Sequence, residues 1–285
     1  MVQVEIRCPE CLKMAKVDVE ENLLHQSKRG ISAINICSLI CDHTFVAYID
    51  TNLNVRDCFI TDFTIELPQI ELEQITAEKI PGQEIVDVYL LTMNLNALWL
   101  TNILRGFLFK KKILILNELR LLNPHIINFF KFIFQDTFDI SISIKNKASY
   151  KKNKKNYKDY IVLDKDNVIR DKENILSPKL TKIERSIVQM FFSESEPNLS
   201  LIILKNEISK AYKLSKDIEI YLNNCDNSTE LTPKSIGVFL TEKYNQKISD
   251  LYLKFLIKIT QNYFEVNYSK MFNFDTYIKW SWFLK

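Results

Sequence analysis

The sequence predicts an α+β protein in three parts: a small antiparallel β unit over residues 1–75, a small α/β layer over 76–175, and an α-helical region over 176–285 packed on that layer. Three observations carry this reading. Short runs of alternating apolar and polar residues crowd the first 67 positions. Helical and strand-like segments then alternate around a lysine-rich connection, and from Lys179 onward only helical patterns remain. Period-two alternation marks half-buried strands, and helix–strand alternation marks a layered sheet.

The elements follow in order. Val2, Val4 and Ile6 alternate with polar residues and run into Cys8; similar runs occupy 15–19, 31–36, 44–49 and 55–60, followed by Phe63, Ile65 and Leu67. Pro68, then Pro81-Gly82 in an acidic stretch, read as a linker. A long helix is expected over 85–109, then a compact strand over 113–116. A second helix starts near Pro124 with Ile127, Phe130 and Phe134 on one side. Strands over 140–144 and 160–163 flank a lysine-rich loop. Beyond it, Thr181 and Glu184 have capping-box spacing, and Thr232-Pro233 reads as a cap with proline in the first turn. Leu251, Phe255, Ile259 and Phe264 form the expected last buried stripe.

Composition narrows the function. The chain has 285 residues, 47% hydrophobic and 26% charged, enough to bury a sizeable core. Its four glycines, Gly30, Gly82, Gly106 and Gly237, stand far apart, which excludes a glycine-rich phosphate loop. No nucleophile elbow, zincin motif or paired-carboxylate motif is present, so no catalytic residue is singled out, and an enzyme using a pocket in the α/β layer stays open as a third reading. The start, MVQVEIRCPE, lacks a secretory apolar run. The apolar stretch 88–109 is interrupted by Asn94, Asn96, Asn102 and Arg105, so it reads as a buried helix and no transmembrane segment is expected. A cytoplasmic protein is the expectation.

The chemical signal lies at the N-terminus. Cys8-Pro9-Glu10-Cys11 places two thiols on one tight turn, and Cys37, Cys41 and His43 follow across a 25-residue gap. A second turn contributing two more ligands completes a tetrahedral zinc site, whose binding energy a small sheet needs in order to fold. Cys8, Cys11, Cys41 and His43 are the preferred ligands of one structural zinc, because Cys41-Asp42-His43-Thr44-Phe45 leads directly into a strand; Cys37 is the alternative. Cys58, Cys225, His25 and His125 stand alone and read as packing or surface residues, and Asp164 as a cap at a strand end.

These residues, together with Ile49-Asp50 and Val55-Arg56-Asp57, resemble an N-terminal zinc-ribbon unit of uncharacterised archaeal proteins, notably of the Asgard group. The resemblance covers about 65 residues, and implies zinc and no established activity. The order of the remaining elements around Lys110-Lys111-Lys112 is similar to DENN-type modules, which act on small GTPases as exchange factors or scaffolds.

Net charge is only +3, yet seven lysines fall within the fourteen acid-free residues 145–158. Within that segment Lys151, Lys152, Lys154 and Lys155 are candidate anion or nucleic-acid contacts, with Tyr150 and Tyr157 able to stack on bases. The tail 277–284 carries Trp280 and Trp282 and reads as a terminal segment docked on its own domain. The expected function is a non-catalytic zinc-binding adaptor or regulator with a protein partner, related to small GTPases or trafficking. A nucleic-acid-binding zinc ribbon is the alternative.

Overall fold

The computed structural model describes residues 2–9, 11–19, 30–37, 40–41, 44–60, 67–68, 86–165, 167–225 and 232–266. The N-terminal unit is antiparallel, as expected, but split in two. Strands β1 (Val2–Arg7) and β2 (Met14–Val19) form one hairpin, and β3 (Ile31–Cys37), β4 (Thr44–Asp50) and β5 (Val55–Ile60) form a three-stranded sheet. Val4, Ile6, Val17 and Val19 of the hairpin meet Ile36, Phe45, Ala47 and Ile49 of the sheet in a small core. Strand β4 is buried on both faces. Its other set, Val46 and Tyr48, enters the main core with Ile31, and Tyr48 packs on Phe192 at a ring-centroid distance of 5.6 Å. Period-two alternation thus feeds two different cores from one strand.

One aspartate holds the end of this unit. Asp50 Oδ1 accepts from the backbone N–H groups of Asn52 and Asn54 at 2.9 and 2.8 Å, which holds the β4–β5 turn. Its Oδ2 accepts from Arg56 Nε at 2.7 Å. Burial pushes the Asp50 carboxyl up, but the Asn54 and Arg56 bonds outweigh it and hold the group below its ordinary pKa.

The expected helix over 85–109 is two helices, α1 (Val88–Asn94) and α2 (Ala97–Leu108). The break falls at Asn96, whose side chain accepts from Trp99 N–H at 2.7 Å and starts α2 anew. Helix α2 ends in a left-handed turn: Lys110 has φ +56°, and the N–H groups of Lys110 and Lys111 donate back to Phe107 and Gly106. Arg105 is buried and pairs with Glu184 at 2.7 Å while its guanidinium lies 4.1 Å from the Phe109 ring. That partner explains how an apolar helix carries an arginine.

Strand β6 (Lys112–Leu116) is central in a sheet of order β7-β6-β8-β9, with β7 (Ser141–Lys145) and β8 (Tyr160–Asp164) parallel to it and β9 (Asn167–Arg170) antiparallel at the edge. Helix α3 (Leu122–Ile133) makes the crossover from β6 to β7; Pro124 is its third residue, and Leu122, Ile126, Phe129, Phe130 and Ile133 form the buried face. Ile113, Ile115, Ile161 and Leu163 face the main core, while Leu114, Leu116 and Val162 face a second, small one.

Tyr150 covers that second face, and here the lysine-rich segment departs from the expected loop. Residues Lys147–Lys152 form helix α4, capped by Asn146 accepting from Ser149 N–H at 2.7 Å, and Lys154–Tyr157 form a 3-10 turn. Tyr150 is buried on the sheet, and its neighbour Tyr157 stacks edge-on to Tyr160 at 5.3 Å. Two tyrosines seven residues apart, with the polar Asn153 and Lys154 at the intervening helical positions, anchor an otherwise cationic segment.

The C-terminal region is helical: α5 (Lys182–Ser193), α6 (Pro197–Asn224), α7 (Pro233–Tyr244) and α8 (Asp250–Asn262). Leu201, Leu204, Ile208, Ala211, Leu214, Ile218 and Leu222 recur every three or four residues along α6 and belong to one cluster with α2, α3 and the sheet. Thr232 caps α7 in a box with Ser235. The same arrangement fails at Thr181, which makes no side-chain cap: its hydroxyl donates to Pro178 O at 3.4 Å, and the Glu184 side chain that would complete the box pairs with Arg105. Leu251 points to solvent, and the buried stripe of α8 runs through Tyr252, Phe255, Leu256 and Ile259. Among the described residues no helix is long and apolar enough to cross a membrane.

Candidate metal centre

The turn between β1 and β2 is a tight knuckle. Cys8 N–H donates to Lys13 O at 2.8 Å and Leu12 N–H donates to Cys8 O at 3.1 Å, which folds Cys8 and Cys11 toward each other. Leu12 reverses the chain with φ +63°, a left-handed conformation usually given to glycine. Register on the other sheet sets the second contribution. Cys37 ends β3 opposite Thr44 of β4, so the β3–β4 connection carrying Cys41 projects from the same end of the small core.

The two turns converge. The sulfurs of Cys8, Cys11 and Cys41 all lie within 4.8 Å of one another, with Cys8 fully buried, Cys41 partly buried and Cys11 exposed. No disulfide joins cysteines among the described residues. The Lys13 backbone N–H lowers the Cys11 pKa; slight desolvation opposes this, and the Cys41 and Cys8 sulfurs and the Lys13 charge add to the lowering. A thiol biased toward thiolate beside two others is a set that could hold a metal ion. His43 and the side chain of Cys37 lie outside the described residues, so the three cysteines are what the structure brings together.

The other singled-out residues fall into structural roles. Cys58 packs on the small core, and burial, with the Asp57 and Cys8 charges, pushes its thiol up to about 12. Cys225 packs against the main cluster. His125 Nδ1 accepts from Asp87 N–H at 3.2 Å, and Asp164 pairs with Lys147 at 2.8 Å; His25 and the tail 277–284 lie outside the described residues. Lys110 and Lys111 pair with Glu265 and Glu173, each at 2.7 Å. Lys151, Lys152, Lys154 and Lys155 are exposed and make no ion pair among the described residues.

Sequence reasoning gave Asp57 no role. Its Oδ2 accepts from Ala97 and Leu98 N–H at 2.9 and 3.3 Å, so β5 supplies an anion to the start of α2 and ties the N-terminal unit to the helical body. A carboxylate forty residues from the helix it caps leaves no local signal.

Two cavities bear on catalysis. One of about 110 Å³ sits beside Lys111, Tyr160, Asp171 and Glu173, smaller than ordinary substrate pockets. A groove of about 760 Å³ along α7 and α8 is lined by Pro233, Val238, Ile248 and Leu253 together with Lys234, Glu242, Lys247 and Asp250. No protein-family model matches the chain, and neither curated proteins nor solved structures yield a match.

Proposed function

We propose that the chain is a non-catalytic zinc-binding adaptor or regulatory protein, acting in the cytoplasm through protein–protein contacts. One observation carries the reading: three thiols converge between two hairpins, the innermost wholly buried. A metal in such a place cross-links secondary structure, since a catalytic zinc needs a ligand position open to substrate. His43 is the fourth ligand on this reading, with Cys37 the alternative. The element order resembling DENN-type modules directs the search for a partner toward small GTPases and trafficking proteins.

Elemental analysis tests the metal. One zinc per chain is expected in the wild type, and Cys8→Ser should lose it; protein that folds fully without any metal would overturn the proposal. Cys37→Ser should retain zinc and His43→Ala should lose most of it, whereas the reverse moves the site to four cysteines. Affinity capture from native extract, followed by titration of the purified candidate partner, tests the adaptor role, and turnover of a substrate by the zinc-loaded protein would replace it.

The unpaired Lys151, Lys152, Lys154 and Lys155 favour one second reading, a nucleic-acid-binding ribbon. Neutralising four phosphate contacts would then flatten the log–log salt dependence of binding by roughly three to four units.

A further inference from the structure

The connection leaving β6 carries two leucines that bury little. Leu119 is 56% exposed and Leu121 is 88% exposed, although both stand in a folded turn between a core strand and a core helix. The turn itself is held: Asn117 N–H donates to Lys145 O at 2.9 Å, and Asn117 Nδ2 donates to Leu119 O and Asn123 Oδ1 at 2.9 and 2.7 Å. Two leucines fixed outward by a well-bonded turn lie beside the start of α4, because Glu118 Oε1 accepts from Lys147 N–H at 2.8 Å. From that junction the cationic segment extends along the sheet face.

Charge at this place is one-sided. Arg120 sits between the leucines, and Lys151, Lys152, Lys154, Lys155 and Lys158 follow on α4 and the 3-10 turn; all six side chains are exposed and make no ion pair among the described residues. The nearby acids are occupied: Asp164 by Lys147, Asp159 by Lys172, and one oxygen of Glu118 by the Lys147 N–H. The arrangement is therefore a pair of apolar tips beside a segment of cations that make no ion pair among the described residues.

We propose that this corner of the α/β layer docks on an anionic lipid bilayer, the leucines entering the headgroup–acyl boundary and the lysines lying against acidic headgroups. Neither signal holds a protein on a membrane alone, and together they are the usual two-part anchor. The leucines decide the partner. A phosphate backbone rewards the lysines and gives an exposed leucine nothing, whereas a bilayer rewards both.

The full chain with its metal should sediment with vesicles of phosphatidylcholine containing phosphatidylserine, and leave phosphatidylcholine vesicles unbound. Each lysine at an anionic surface contributes roughly five-fold in partitioning, so replacing Lys151, Lys152, Lys154 and Lys155 with Ser should lower binding by at least about a hundredfold. Leu119→Ser with Leu121→Ser should lower it about tenfold or more, with an unchanged thermal midpoint, since these side chains bury little in the fold. The same leucine variant should leave any binding to an RNA duplex unmoved. Absence of vesicle binding, vesicle binding indifferent to the leucines, or tight RNA binding in place of vesicle binding would each overturn the proposal.

Discussion

Asp57 offers a direct test of how the metal unit is joined to the body. Its carboxylate accepts from the first two N–H groups of α2, while Asn96 serves the third. Replacing a helix-capping side chain with alanine costs about 0.5–2 kcal/mol. Loss of an anion at a helix N-terminus adds about 0.3–1 kcal/mol. The N–H groups left behind are only partly reached by water, so Asp57→Ala should destabilise by about 2–3 kcal/mol. For a chain of this size each kcal/mol moves the melting temperature by about 2–4 °C, which gives a fall of about 5–10 °C. Asp57→Asn keeps an acceptor oxygen and loses the charge, and should cost about 1 kcal/mol. Thermal and urea melts of the three proteins, with matched metal content, measure this. A melting temperature for Asp57→Ala equal to wild type, or Asp57→Asn as damaging as alanine, would refute the account.

Arg105→Ala should cost about 3–5 kcal/mol in urea denaturation, because it strands Glu184 without its cation, whereas Arg105→Met with Glu184→Leu should cost far less. Tyr150→Ala should lose about 3 kcal/mol by opening the second core. Tyr150→Phe should be neutral or slightly stabilising, since the buried hydroxyl has no hydrogen-bond partner among the described residues. For Asp50 the folded pKa lies below the unfolded one, so its contribution is complete above the ordinary carboxylate range and fades as pH falls through that range to the folded value. A pH series of melts should therefore show a shallower acid limb for Asp50→Asn than for wild type, and identical limbs would remove Asp50 from the β4–β5 turn.

What could be read in advance was whatever is encoded by local period. The observed β2, β3, β4 and β5 lie within a residue of the runs at 15–19, 31–36, 44–49 and 55–60, because each of these strands has at least one face in a core. The convergence of Cys8, Cys11 and Cys41 was legible for the same reason: strands flanking each pair fix where the turns can go. Distant partners were not legible. Glu184 looks like a cap three residues after Thr181 until Arg105, 79 positions away, claims it. The lysine segment looks like a loop until Tyr150 finds Leu114, Leu116 and Val162 on the sheet. Asn96 could be seen as an interruption of the apolar stretch; that it also restarts the helix depends on a side-chain bond to Trp99.

Strand β4 couples the N-terminal unit to the helical body. Phe45, Ala47 and Ile49 belong to a core of nine buried side chains among the described residues, Cys8 included, and so small a core would gain from the proposed metal cross-link beside it. Val46 and Tyr48, one residue out of phase, belong to the core of the helical body, and Asp57 on the neighbouring strand caps α2. Strand β4 cannot shift its register for one core without moving its alternate side chains out of the other. On the proposed zinc reading, loss of the metal should therefore loosen Tyr48 against Phe192, and a partner that tightens the helical body should favour the metal-bound form. By linkage the two effects have equal free energy. The N-terminal unit is in this sense part of the same folding unit as the helices.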